Sequence, residues 1–128
     1  MKRMSFILLT AAGLLAGCSK EYERKDVGPE EQQRVRQMIQ DVRQGGEAKL
    51  PDLVKSLAAE ELGAEQRQAL SYSLAELVKA QSAELSAVDQ FGDRVLRASI
   101  RIEDGHGRRT VCFLLVRQGD KLLWAGRN

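Results

Sequence analysis

The sequence predicts an α+β domain in which three N-terminal helices pack on one face of a four-stranded antiparallel meander. Two observations support this prediction. Between residues 29 and 81 apolar side chains recur at intervals of three and four, whereas from Glu84 onward they recur at intervals of two and include more β-branched residues. The 128 residues, of which 43% are hydrophobic and 30% charged, suffice for one globular domain and exclude a disordered chain.

Each predicted helix is delimited by residues that favour helix starts or ends. Pro29 suits a first helical turn, and the two glutamates that follow it lie at the positive end of the helix dipole. A pair of glycines then ends this helix. The predicted helices are 29–45, 51–63 and 64–81, with apolar stripes formed by Val35, Met38, Ile39 and Val42, by Leu53, Val54 and Leu57, and by Leu70, Leu74, Leu77 and Val78. These stripes are predicted to be core.

The predicted strands are Leu85–Phe91, Arg94–Glu103, Arg108–Arg117 and Lys121–Gly126. Their connections are short and rich in glycine and aspartate, which predicts hairpins and hence an antiparallel meander. With Glu103 opposite Arg108 and Gln118 opposite Lys121, the bulky residues fall on one face. The predicted core face consists of Leu85, Leu96, Ala98, Ile100, Ile102, Val111, Phe113, Leu115, Leu122 and Trp124.

The opposite face mixes aliphatic residues with arginine, which is less polar than a solvated sheet face usually is. Its predicted members are Val88, Val95, Arg97, Ser99, Arg101, Thr110, Cys112, Leu114, Val116, Leu123, Ala125 and Arg127. The residues predicted to form an interaction surface within it are Arg97, Arg101, Cys112, Leu114, Val116 and Leu123. A second copy of the chain, forming a weak homodimer, or another envelope protein would bind there. A solvated face with scattered aliphatic residues is an equally good interpretation of the sequence.

Charge is distributed unevenly along the chain. The formal net charge of +2 comes from Lys2 and Arg3, because the other 18 basic side chains balance 18 acidic ones, so no nucleic-acid partner is predicted. Residues 19–90 contain 10 basic and 14 acidic side chains, and residues 91–128 contain 8 basic and 4 acidic. A basic sheet could therefore complement acidic helices in self-association, or favour an anionic partner.

The N-terminus has the organisation of a secretion signal. Met1–Arg3 is basic, and the apolar run Met4–Gly17 is shorter than the roughly 20 residues that a membrane-spanning helix needs. The run leads into Leu15-Ala16-Gly17-Cys18, which resembles the lipobox of bacterial lipoproteins. The resemblance implies cleavage before Cys18 and its acylation. Several acyl chains, at about 0.8 kcal/mol per buried CH₂, anchor a protein stably to a membrane.

This interpretation divides the chain into a signal peptide (1–17), a lipidated Cys18 with a solvated tether (18–27) and a single domain (28–128). Ser19 follows Cys18 in place of the aspartate that typically retains lipoproteins in the inner membrane. The resemblance therefore implies the outer membrane, with the domain facing the periplasm. Lipidation of Cys18 leaves Cys112 without a partner for an intramolecular disulfide.

Helices come first, then a meander with Gly92-Asp93 before an alternating strand, Glu103-Asp104-Gly105 at the next turn and a tryptophan in the last strand. This arrangement resembles the small lipoprotein branch of the cystatin-like superfamily named for nuclear transport factor two. The resemblance implies a helix-filled cone whose mouth binds small molecules in some relatives and whose outer sheet face often forms dimers. Enzymes among the relatives place an Asp, Tyr or His inside the cone.

Few ionisable groups of this chain are predicted to face such a cone. Asp89 is a candidate because its predicted partner is Leu96, although a solvated edge carboxylate is the alternative. His106 and Tyr72 are predicted at the surface, and Cys112 as a strand residue rather than a nucleophile. No cofactor or metal is predicted. We expect a non-enzymatic interaction module, with a small-ligand binder or an isomerase- or lyase-type enzyme as the alternative.

Overall fold

The computed structural model describes residues 24–128, in which three α-helices precede a four-stranded antiparallel meander. The helices are α1 (Pro29–Gly45), α2 (Leu50–Leu57) and α3 (Ala64–Lys79), with a 3₁₀ turn at Glu47–Lys49 between the first two. Pro29 lies in the first turn of α1 with the two glutamates beside it, as predicted. The short second helix ends at Leu57, before its predicted end near Gly63.

Within residues 24–128 the sheet contains five strands, and its spatial order follows the chain. They are β1 (Arg24–Asp26), β2 (Ser82–Phe91), β3 (Val95–Asp104), β4 (Gly107–Gln118) and β5 (Lys121–Arg127). All neighbouring strands are antiparallel. Strands β2–β5 form the predicted meander, so the α+β class is confirmed.

Strand β1 corrects the predicted boundary between tether and domain. Residues 18–27 were predicted to be solvated, but Arg24 lies opposite Phe91 and Asp26 lies opposite Asp89. Val27, which follows, is buried in the hydrophobic core. The pairing uses the backbone, so it needs no apolar periodicity and left no signal in the sequence pattern. The folded domain therefore includes Arg24–Val27.

The registers predicted for the last two hairpins are confirmed. Glu103 lies opposite Arg108, and Gln118 lies opposite Lys121. As a consequence, Leu115 pairs with Leu96 on one side and with Trp124 on the other. Two turns of the chain thus place large apolar residues side by side on the face that meets the helices.

The first hairpin differs from its predicted register by one residue. Its turn contains residues 92–94, with Gly92 at a φ of +67°, and Phe91 pairs with Val95. A three-residue loop replaces the predicted two-residue loop. Asp89 therefore lies opposite Arg97, so the prediction that it opposes Leu96 is wrong.

Two β-bulges change which residues face the helices. In β2 the bulge lies at Ser86, and Val88, predicted to face outward, is instead buried in the core. In β5 Ala125 is the extra residue, and Arg127 reaches the helix side of the sheet, where it forms an ion pair with Glu76 of α3. The predicted outward orientation of Arg127 is therefore wrong as well.

The helices and the sheet enclose an apolar core. Its sheet side contains the predicted residues Leu96, Ala98, Ile100, Ile102, Val111, Phe113, Leu115, Leu122 and Trp124, with Leu85 partly buried against them. Trp124 is 1% exposed, and its ring meets that of Phe113 edge-on with 5.4 Å between the ring centroids. The predicted core face is therefore confirmed.

Arg43 links α1 to the end of α3. Its Nη1 donates hydrogen bonds to the carbonyl oxygens of Leu77 at 2.7 Å and Ala80 at 3.0 Å. Carbonyl groups in the last turn of a helix have no partner within the helix, and a cation there also interacts favourably with the helix dipole. Arg43 thus fixes the position of α1 against the start of β2.

Candidate functional site

The six residues of the predicted interaction surface lie on the same side of the sheet, which we call the outer sheet face. Opposing residues of antiparallel strands point to the same side, and the register pairs Arg97 with Leu114 and Val116 with Leu123. The outer sheet face consists of Glu84, Asp89, Phe91, Val95, Arg97, Ser99, Arg101, Glu103, Arg108, Thr110, Cys112, Leu114, Val116 and Leu123.

Arg97 lies at the centre of this face and is held by two neighbours on β2. Its Nη2 lies 3.4 Å from Oδ2 of Asp89, and its guanidinium lies 5.1 Å from the ring centroid of Phe91. The Arg97 and Asp89 side chains are 28% and 16% exposed. Within the described residues, Nε of Arg97 is buried and has no hydrogen-bond partner. Arg97 is therefore packed into the surface.

The arginines of the outer sheet face each lie opposite a carboxylate. Arg97 opposes Asp89, and Arg101 opposes Glu84. At the end of the sheet, Nε of Arg108 lies 3.6 Å from Oε2 of Glu103. Such cross-strand pairs balance charge locally. The face is therefore close to neutral, which argues against the predicted attraction of an anionic partner.

Within the described part of the chain, three ion pairs join basic residues of the sheet to acidic residues of the helices. Arg109 and Arg127 both bind Glu76 of α3, while Arg117 binds Glu31 of α1. The complementarity that the sequence suggested between basic strands and acidic helices is thus satisfied within one chain.

The apolar residues of the outer sheet face differ in exposure. Leu114 and Val116 are partly exposed, as are Phe91 and Val95 on the neighbouring strands. Leu123 is only 5% exposed, so the prediction that it forms part of an accessible patch is wrong. It lies on the last strand, where it lines a shallow groove together with Leu57 of α2. The accessible apolar centre is therefore formed by the other four residues.

Cys112 is a free cysteine in the middle of β4. It is partly buried, and its Sγ lies 3.6 Å from Oγ of Ser99 on β3. No histidine lies beside it, because His106 is in the exposed turn between β3 and β4. This environment agrees with the predicted strand position of Cys112.

The turn that carries His106 is stabilised by Asp104. Its carboxylate accepts hydrogen bonds from the backbone N–H of His106 at 2.8 Å and from Arg109, and these bonds hold the pKa of Asp104 below its usual value. His106 itself is exposed, as is Tyr72 on α3. Among the described residues, no three His, Cys, Asp or Glu side chains are grouped so as to hold a metal ion.

In the alternative function, a small molecule would bind in a cone between the helices and the helix-facing side of the sheet. In the described part of the chain, the buried residues on that side are all hydrophobic. Nε1 of Trp124 is a polar atom there, and it is buried with no hydrogen-bond partner among residues 24–128. The general acid or base that catalysis in a cone requires is therefore not supplied by the buried residues that the structure describes.

A groove of about 500 Å³ lies between α1 and the first residues of β2, which sequence reasoning missed. Ile39, Ala83 and Leu85 supply its apolar lining, Arg36 and Arg43 are its basic residues, and Glu84 is its acidic residue. The predicted strand began at Leu85, whereas β2 begins at Ser82. The alternation of polar and apolar residues just before Leu85 could have predicted the longer strand. The groove itself depends on the separation of α1 and β2, which the sequence pattern does not give.

Comparisons with protein-family models, with curated proteins and with solved structures find no match to this chain. Cys18, the predicted lipidation site, lies outside the described residues. None of the helices in residues 24–128 combines the length and the apolar character needed to cross a membrane.

Proposed function

We propose that this chain is a lipoprotein of the bacterial envelope, anchored through acylated Cys18, whose domain is a non-enzymatic interaction module. Leu15-Ala16-Gly17-Cys18, placed after a basic and then apolar leader, supports the anchor. The Ser19 that follows favours the outer membrane. The partner is a protein surface, supplied by a second copy or by another envelope protein.

The observation that carries the interaction is the apolar centre of the outer sheet face. Phe91, Val95, Leu114 and Val116 are partly exposed beside the Arg97–Asp89 pair. Burial of apolar surface contributes about 25 cal/mol per Å², and a charge-balanced surround adds no strong repulsion when a protein covers it. This surface therefore suits a partner with an apolar patch of its own.

The pairing of β1 restricts where the domain can lie relative to its anchor. Cys18 precedes Arg24 by six positions, and six residues of chain can span at most about 20 Å. Arg24 pairs with Phe91 on β2, next to the turn at residues 92–94. The sheet end with this turn is thus held near the membrane, and the outer sheet face is within reach of other proteins on the same membrane.

Site-specific photo-crosslinking in cells tests this proposal. A photoreactive amino acid is placed at Leu114 of the full chain, and at Tyr72 in a matched control, because Tyr72 is 72% exposed on α3. We expect a discrete crosslinked species at Leu114, either a dimer of the chain or a complex with one other envelope protein. Equal and diffuse crosslinking at both positions would contradict the proposal.

We also infer that the domain belongs to the cystatin-like superfamily. The order of helices and meander supports this, as do the bulges at Ser86 and Ala125, because bulges increase the twist and bending of strands. An experimental structure showing helices seated in a strongly curved sheet is the expected result. A flat sheet would contradict the assignment.

A further inference from the structure

The two edges of the sheet differ in how much of their backbone is paired. At β5, Ala58 forms a parallel bridge with Trp124, and the backbone N–H of Ala59 donates to the Trp124 carbonyl oxygen at 2.8 Å. At the other edge, β1 pairs only with positions 89–91 of β2. In the part of the chain that the structure describes, residues 82–87 have no strand partner on that side. This open edge is a template for a further strand.

The groove between α1 and β2 lies along this open edge. Ala83 and Leu85 of the edge line it, and Ile39 of α1 contributes to the same lining. A strand added to β2 would therefore place every second side chain against apolar residues. The bulge at Ser86 interrupts the regular backbone pattern, so the regular part of the edge is Ser82–Leu85.

The charged residues that line the groove are Arg36, Arg43 and Glu84. Glu84 lies opposite Arg101 of β3, so the two arginines are the groove's excess charge and favour an acidic occupant. Arg36 is exposed, and within the described chain its side chain contacts the amide of Gln33 at 3.4 Å and no carboxylate. Arg43 donates its hydrogen bonds to carbonyl oxygens, and within residues 24–128 no carboxylate forms an ion pair with it. A second copy paired through the same edge would bring a second set of these arginines into the groove, which is unfavourable.

We propose that the open edge of β2 and the adjoining groove form a strand-addition site for an extended acidic peptide of another protein. Backbone hydrogen bonds to residues 82–85 hold the peptide. Its alternate apolar side chains enter the groove, and its carboxylates approach Arg36. This site is separate from the outer sheet face, so it does not depend on the function proposed above.

The probe is an acetylated and amidated octapeptide of alternating valine and aspartate, titrated into the full chain in detergent. We expect binding by isothermal titration calorimetry and slower amide hydrogen exchange confined to residues 82–87. Replacing aspartate by lysine, or methylating the peptide nitrogens, should weaken binding by at least about tenfold, because these changes remove the charge pairing and the backbone donors. The Arg36→Glu variant should lose binding to a similar extent.

The control is Lys55→Glu, which reverses an exposed basic residue of α2 outside the groove and should bind the peptide as the wild type does. Three results would overturn the proposal. The first is that the peptide does not bind even at about 1 mM, a concentration that detects weak binding. The second is that the N-methylated peptide binds as well as the unmodified one. The third is that Arg36→Glu binds the peptide as well as the wild type. Protection of residues 82–87 that rises with protein concentration alone would assign the edge to a second copy instead.

Discussion

Arg117 of β4 donates two hydrogen bonds to the carboxylate of Glu31 in α1, 86 positions earlier in the chain. The bond from Nε to Oε2 is 2.9 Å long, and Oε1 of Gln90 accepts a further bond from Arg117. The Arg117 and Glu31 side chains are 28% and 19% exposed. Their mutual hydrogen bonding lowers the pKa of Glu31 and raises that of Arg117. This pair connects the first helix to the sheet.

We therefore expect Glu31→Gln to destabilise the domain by about 2 kcal/mol near neutral pH, because a charged and partly buried arginine loses its counterion. The pKa of Glu31 lies below its ordinary 4.5, so the stabilisation is fully present above that pH and is lost as the pH falls through the lowered pKa. Urea unfolding of both proteins at several pH values measures this. Glu30→Gln, in the same helical turn, is the control. A difference that does not shrink in acid would contradict the assignment.

Trp124→Ala should destabilise the domain by about 3–5 kcal/mol, because it leaves a cavity beside Phe113 in the centre of the core. The exposed Tyr72 provides the comparison, and Tyr72→Ala should change stability by less than about 0.5 kcal/mol. Denaturant midpoints of the two variants test the packing. A midpoint of Trp124→Ala close to that of the wild type is the contrary result.

Cys18→Ala should abolish membrane association and leave the unprocessed precursor, since the thiol is the predicted acylation site. Membrane fractionation, together with radiolabelled palmitate, measures both effects. Cys112→Ala is the matched control and should leave anchoring and labelling unchanged. Normal processing of Cys18→Ala, or labelling that depends on Cys112, would refute the anchor.

The domain made without its anchor, residues 19–128, should self-associate weakly through the outer sheet face. Analytical ultracentrifugation over a concentration series should detect a dimer that Leu114→Glu removes and Tyr72→Glu retains. Mild oxidation should also link two copies through Cys112, because identical residues can meet across a two-fold axis. A wild type that stays monomeric at all concentrations, with Cys112 unreactive, would show that the face does not pair with itself.

Local patterns accounted for most of the fold. The apolar stripes of α1 and α3 and the alternation in β3 and β4 were predictable because side-chain periodicity reflects which face is buried. Val88 and Arg127 were assigned to wrong faces, and Asp89 to the wrong partner on β3. In each case a loop or bulge of one extra residue exchanges the two faces of a strand, and such a residue leaves little trace in the pattern.

Some features of the fold and of the candidate surfaces follow from the sequence, and others follow only from the tertiary structure. The sequence by itself determined the helix and strand classes, the registers beside the last two turns and the side of the sheet on which Leu114 and Val116 lie, because these follow from spacings of a few residues. Only the tertiary structure decided that Arg24–Asp26 joins the sheet, that Leu123 is buried and that Arg117 pairs with Glu31. These outcomes depend on backbone pairing and on contacts between distant parts of the chain, which periodicity does not encode.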